Sequence, residues 1–239
     1  MDHPVFNPHE VQWTAEKVSQ FWDFYARNRH DDFFSEKHSH DLAKRVMRFH
    51  PRSVLDIGCG TGPFVATIAR LGVDATGIDS SPAIIEVARS RSGAIPKPPS
   101  FFVGSIDAIP IRDSQVDVAT LFEVVEHLDD QTLSGALAES FRVLIPGGRL
   151  LVSTPNGEVL RDGTVECPDC GGQFHTMQHV RSWTAESLES SLRSAGFSPV
   201  SVQSLRFVEN GPMLETILRR VYYFARRQRP RLLAVAIRP

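Results

Sequence analysis

The sequence predicts an α/β protein built on a mostly parallel sheet, and three observations carry that expectation. From residue 53 onward, short β-rich apolar runs alternate with longer amphipathic segments: SVLDIG, then PFVATIARLG; VDATGID, then SPAIIEVARSR; FFVGS; VDVATLFEV, then QTLSGALAESFRVL; and RLLVSTP. Parallel strands need long crossovers, so this alternation argues a parallel sheet covered by helices. The helices are punctuated as helix chemistry requires, by Gly72 after "ARL", Ser80-Ser81-Pro82 before "AIIEVA" and Pro146-Gly147-Gly148 after "FRVL". Finally, 239 residues with 41% hydrophobic content can bury one substantial core, so one main domain is expected.

Around that domain the pattern changes twice. Residues 1–50 carry Trp13, Phe21, Trp22, Phe24, Tyr25, Phe33 and Phe34 at helical spacing, which predicts a helical preface to a main domain at 51–239. The preface reads equally as a lid over a site and as helices packed on the sheet. Within the main domain, residues 157–182 show no clear periodicity, an insert long enough to imply function or local tethering. A helix over TAESLESSLRSAGF follows, with Thr184 as N-cap and Gly196 as stop, then a strand around PVSVQSLRF. A basic amphipathic helix at 212–229 precedes a last strand, RLLAVAI.

Bulk composition removes several function classes. A net charge of -2 gives no overall attraction to polyanions, so nucleic acid is not an expected partner. The opening MDHPVFNPHEVQW has no basic run followed by an apolar one, and no stretch approaches the ~20 apolar residues of a membrane span. A cytoplasmic location is expected. The basic segment at 212–229 offers peripheral contact with an anionic membrane, or a surface helix beside the acceptor mouth. Three cysteines, two of them close together, argue against a disulfide framework and for a reducing compartment.

The chemistry starts at VLDIGCGTGPF, where a strand ends at Asp56 and enters Gly58, Cys59, Gly60, Thr61 and Gly62. Glycines let the backbone bend sharply and approach a ligand closely. A dinucleotide fingerprint needs a third glycine where Pro63 stands, and a phosphate loop needs a lysine that is absent. The remaining pattern suits a nucleoside ligand without phosphates. Asp79, at the end of the next strand and about 20 residues on, is placed to accept both hydroxyls of a ribose. An ordinary strand-to-helix turn with a capping acid is the alternative.

With these motifs in order, the chain over residues 53–207 resembles the class I S-adenosylmethionine-dependent methyltransferases. The resemblance implies a Rossmann-like seven-stranded, mostly parallel sheet with helices on both faces. It further implies that Asp56, Gly58, Cys59 and Gly60 hold the methionine end of S-adenosylmethionine, that Asp79 with Ser80 holds ribose, and that Ser105 and Ile106 of the GSID stretch flank adenine. The family commonly has an acid at the Ser105 position, and Asp107 is the candidate replacement.

Glu123, Glu126 and His127 in LFEVVEHLDD stand at i, i+3 and i+4, on one side of a helical turn at a strand end. This E-x-x-E-H resembles the ubiquinone-synthesis O-methyltransferases and the methyltransferases of small-RNA 3′ ends, where such residues help bind a metal. Two readings stand: a divalent-ion site, or Glu123 closing over the methionine end while Glu126 caps backbone and His127 lines the acceptor pocket. As a base or orienting group His127 would be catalytic, with Glu126 and His179 beside the acceptor. Cys167 and Cys170 begin a C-x-x-C-G turn followed by His175 and His179, so Cys167 and Cys170 are candidate ligands of a structural zinc. A metal-free flap or a redox pair are the alternatives. The stretch also resembles an insert recurring in a group of bacterial methyltransferases.

The expected activity is methyl transfer to a small-molecule acceptor, on oxygen of a metabolite, sugar or lipid-linked intermediate. Metal-assisted 2′-O-methylation of RNA 3′ ends is a second expectation, and a non-catalytic nucleoside-binding protein a third.

Overall fold

A computed structural model describes residues 6–211 and 230–239. The basic helix expected at 212–229 lies outside the described residues. In chain order the elements are β1 (His9–Glu10), α1 (Ala15–Asn28), α2 (Phe34–Val46), β2 (Ser53–Ile57), α3 (Pro63–Arg70), β3 (Asp74–Asp79), α4 (Pro82–Ser92), β4 (Ser100–Val103), β5 (Val116–Phe122), α5 (Asp130–Val143), β6 (Leu144–Pro155), β7 (Thr164–Glu166), β8 (Gly172–His175), α6 (Ala185–Ser194), β9 (Val200–Leu205) and β10 (Arg231–Ile237).

Side-chain alternation along the central strands explains the layering. Leu55, Ile57, Ala119, Leu121, Leu150 and Val152 face one side, where they meet Leu133 and Leu137 of α5 and Leu188 and Leu192 of α6. Val54, Val118, Phe122 and Leu151 face the other side, against Leu42 of α2, Phe64 and Ile68 of α3 and Ile85 of α4. Burial on both faces is why these strands read as continuous apolar runs. Seven strands pair in the order β4-β3-β2-β5-β6-β10-β9, and only β10 runs antiparallel to its neighbours β6 and β9. The fold is thus the expected Rossmann-like α/β arrangement. No helix among the described residues is long and apolar enough to cross a membrane.

The helices start on local chemistry. Thr14 caps α1 through Lys17 N, Ser81 caps α4 through Ile84 N, and Asp129 caps α5 through Thr132 N. Thr184 and Ser187 form a reciprocal capping box on α6. Two sequence expectations are modified. Pro146-Gly147-Gly148 does not stop a helix: α5 ends at Val143, and the three residues lie inside β6, whose pairing with β5 shifts register between Val116 and Val118. The insert is also not without structure, since β7 and β8 form a hairpin and β1 of the preface joins β8 in parallel.

Strand order reverses between β2 and β5, so a crevice opens beyond their carboxyl ends. Every motif singled out after β2, β3 and β5 lies at that end. Gly77 of β3 packs so closely that a Cβ there would lie 2.8 Å from both Cys59 Sγ and the Phe101 ring. Gly77→Ala is therefore expected to cost about 1–3 kcal/mol through overpacking, read as a lowered Tm in thermal unfolding.

Candidate active site

The glycine loop turns through alternating left-handed residues, Gly58 (φ 77°), Gly60 (φ 54°) and Gly62 (φ 80°). A side chain at Gly58 would also be blocked, because a Cβ would lie 2.7 Å from Val124. Two strands hold the loop. Gly58 N and Cys59 N donate to Ile78 O, and Gly60 N donates to Asp79 Oδ2 at 3.1 Å. The other Asp79 oxygen accepts from Ser81 N at 3.0 Å. Burial raises Asp79 above the ordinary carboxylate value, against the pull of these N–H donors.

A cavity of about 430 Å³ opens beyond the loop. Gly58, Gly60, Asp79, Ser80, Ile106, Glu123, Glu126, His127 and His179 all line it. Three sequence-expected residues do not. Asp56 lies behind the loop, 3% exposed, with Thr120 Oγ1 donating to its Oδ1 at 2.6 Å. Burial pushes its pKa to about 7, opposed by the Thr120 bond. The Cys59 side chain is turned into the core against Gly77, so only its backbone remains for a ligand. Ser105 is exposed and its hydroxyl is bonded to Asp107, whose own side chain lies against Gly135. Neither is among the residues that line the cavity, and Ile106 is the GSID side chain that reaches it.

The E-x-x-E-H residues do converge. Glu123 adopts φ 56°, a strained setting for a non-glycine residue, and turns its carboxylate to Ser153 Oγ (2.8 Å) and Arg231 Nη1 (2.7 Å). Val125–His127 then forms a single 3₁₀ turn. Glu126 is buried, with Thr154 Oγ1 donating to Oε2 at 3.0 Å and Oε1 left without a partner. Burial, and then the charge of Glu123, hold its pKa well above the ordinary value. Burial, reinforced by His179, pushes His127 down to about 3, so its ring is neutral near physiological pH.

The insert and α1 roof the cavity, and here the structure adds residues that the sequence did not single out. Glu158 Oε2 meets His179 Nδ1 at 2.5 Å and Glu158 Oε1 lies 3.7 Å from His175 Nε2. Burial opposes the charge on Glu158, but the His179 bond and both imidazoles outweigh it and its pKa is lowered. An ionised carboxylate only accepts, so His179 Nδ1 is the donor to Glu158 and Nε2 is the ring nitrogen left outside that bond. His175 stacks on His179 with centroids 4.5 Å apart, and its Nδ1 faces the N–H groups of Met177 and His179. Trp22 Nε1 donates to Gln178 Oε1 at 3.2 Å and its ring packs edge-on against His127, while Tyr25 donates to Thr176 O. His127 and His179 thus line the cleft, with His175 stacked on His179. The four-ligand grouping Cys167, Cys170, His175 and His179 is not formed, and the two thiols stand apart at the tip of the β7–β8 hairpin.

The methyltransferase domain family matches residues 25–202 of this chain. The chain belongs to that family. Its membership lies within the class I S-adenosylmethionine-dependent superfamily, with which its relatives agree. A protein of Mycolicibacterium smegmatis named as a probable S-adenosylmethionine-dependent methyltransferase is 33% identical over 167 residues, 70% of this chain and 60% of the relative. The O-methyltransferase resE of Aspergillus sclerotiorum is 28% identical over 78% of this chain and 70% of its own length. The chain therefore spans under two thirds of the mycobacterial relative. Among solved structures, a Haloferax volcanii methyltransferase in complex with the Trm112 methyltransferase activator superposes with a TM-score of 0.69 at 21% identity, over 91% of this chain and 97% of that one. The site fits the cofactor of the family: a loop that presents Gly58 and Gly60 to the cavity with the Cys59 and Thr61 side chains buried away from it, an acid with remaining lone pairs, the apolar walls Ile84 and Ile106, and no lysine at the loop.

Asp56 gives this site a pH signature. Its folded value near 7 exceeds the ordinary 3.8, so between these values the folded chain keeps a proton that the unfolded chain releases. Its stabilising contribution is complete below about pH 4 and is lost as pH rises through 7, on the order of 4 kcal/mol at full effect. Denaturant titrations across that range should show Asp56→Asn lacking this loss. Parallel pH profiles for the two proteins would contradict the assignment.

Proposed function

We propose that the chain transfers a methyl group from S-adenosylmethionine to a hydroxyl oxygen of a small molecule, with His179 held by Glu158 as the base. The observation that carries this reading is the Glu158–His179 pair at the cavity roof, which frees one imidazole nitrogen beside Glu126 and His127. Methyl transfer to a hydroxyl needs alignment, a dry site and removal of one proton. Gly58, Gly60, Asp79, Ser80 and Ile106 would hold the cofactor, which supplies an electrophilic methyl group when bound. His179 Nε2 would accept the proton of the acceptor hydroxyl. His127 is too weak a base for this at a pKa of about 3 and serves as a neutral wall that positions the acceptor. Glu126, whose pKa burial raises well above the ordinary carboxylate value, lines the same side of the cavity and keeps one carboxyl oxygen buried without a partner. The preface 1–50 and the insert 157–182 together act as the water-excluding cover, through Trp22 and Tyr25. An O-methyltransferase name among the relatives supports oxygen as the acceptor atom.

A second reading is favoured by the ligand atoms of Glu126, His127 and His179, which lie within 4.8 Å of one another. A divalent ion there would activate the acceptor oxygen in place of the base, as in 2′-O-methylation of an RNA end.

The test is a screen of hydroxylated metabolites with methyl-labelled S-adenosylmethionine, followed by variants on the acceptor found. His179→Ala is expected to lower kcat/KM by about 10²–10⁴-fold with cofactor affinity unchanged, and Glu158→Gln to lower kcat more than it changes KM. Full activity of His179→Ala would remove the base. Activity abolished by a chelator and restored by a divalent ion would favour the second reading.

A further inference from the structure

The paired thiols of the insert lie 167–170 along the chain, outside the cavity, and the mechanism does not use them. Their surroundings are built rather than incidental. Cys167 N donates to Gly172 O and Gly171 N donates to Cys167 O, both at 2.9 Å, while Gly171 takes φ 76° to close the turn. Those two bonds close the chain from Cys167 to Gly172 on itself, so Cys167 and Cys170 stand in one tight turn at the hairpin tip.

The N-terminal strand brings a third donor to the same place. Asn7 N donates to Cys170 O, His9 N to Gly171 O and Val11 N to Gln173 O, which sets His9 opposite Gly172. A Cβ built on Gly172 would lie 3.4 Å from Cys170 Sγ and 3.7 Å from His9 Cε1, so sulfur and imidazole border the space that glycine leaves open. His9 Nδ1 is bonded to Asn7 O at 2.7 Å, which makes Nδ1 the protonated nitrogen and leaves Nε2, next to Cε1, as a free ligand atom. A backbone carbonyl orienting the second ring nitrogen is the arrangement that metal-ligating histidines use.

We propose that Cys167, Cys170 and His9 hold a thiophilic divalent ion of the zinc class, clasping the N-terminal strand to the hairpin, with the fourth position open to solvent. The donor set of two thiolates and one imidazole suits zinc. The three donor atoms are not all within 4.8 Å of one another here, so loading draws the exposed His9 ring inward. The clasp also meets a structural need. The sheet β1-β8-β7 has strands of two, four and three residues, with β1 and β7 exposed throughout, and so has little apolar core of its own. Ligand binding energy would supply the missing stability and fix the roof over the cleft.

The experiment uses the full chain without a histidine tag, grown with added zinc, and measures metal by mass spectrometry and by release to a chromogenic chelator. About one zinc per chain is expected, with cobalt substitution giving a thiolate-to-metal charge-transfer band. Cys167→Ser/Cys170→Ser should lose both, and His9→Ala should weaken zinc more than about tenfold. His175→Gln/His179→Gln should keep both, which separates this site from the cleft histidines; circular dichroism checks that each variant is folded. Well under one zinc per chain, a Cys167–Cys170 disulfide in freshly purified protein, or wild-type zinc affinity in folded His9→Ala would each overturn the proposal.

Discussion

The Asp79 carboxylate is the tie on which the site depends. It accepts Gly60 N with one oxygen and Ser81 N with the other, so one side chain joins the glycine loop after β2 to the start of α4 after β3. Both N–H groups belong to turns that leave the carboxyl ends of the neighbouring strands β2 and β3, where no regular pairing can satisfy them. A carboxylate is suited to this because it accepts several bonds at once and leaves lone pairs directed at the cavity. The burial that makes the tie effective also raises the pKa of Asp79 and of Asp56 behind it.

Above that floor the polar groups are sorted by environment. Burial raises Glu126 and lowers His127, both toward the uncharged form, while the bond to His179 lowers Glu158 toward the ionised form. Pairs of titratable groups pushed apart in this way are how a cleft separates proton acceptors from neutral hydrogen-bonding walls. Arg231 adds a structural consequence: by pairing with Glu123 and covering the Phe34 ring, it links the last strand to the E-x-x-E-H turn and to the preface. The preface is therefore fastened to the same turn that lines the cavity.

What could be read from the sequence was local and backbone-driven. Strand and helix alternation, the glycine loop and the spacing to Asp79 depend on turn geometry and periodicity, and each lies where those signals put it. Side-chain direction was less legible. Cys59 looked like part of the binding loop, but the space left by Gly77 on the neighbouring strand draws it into the core. Asp107 was the candidate stand-in for the acid missing at Ser105, yet the two bond to each other outside the cavity. Glu158 gave no signal at all, because its partner His179 is 21 residues away across an aperiodic insert. The aromatics of α1 announced a packed helix, but that Trp22 would meet Gln178 and His127 depends on where the insert folds, which no local pattern encodes.

The most direct test is calorimetric titration of S-adenosylmethionine into wild type and Asp79→Asn, with thermal unfolding as a check on the fold. An amide cannot accept both loop N–H bonds and also bond a ribose, so affinity should fall by roughly 10–100-fold while the variant remains folded. Equal affinity in a folded Asp79→Asn protein would show that the tie does not form the cofactor cradle and would contradict the account.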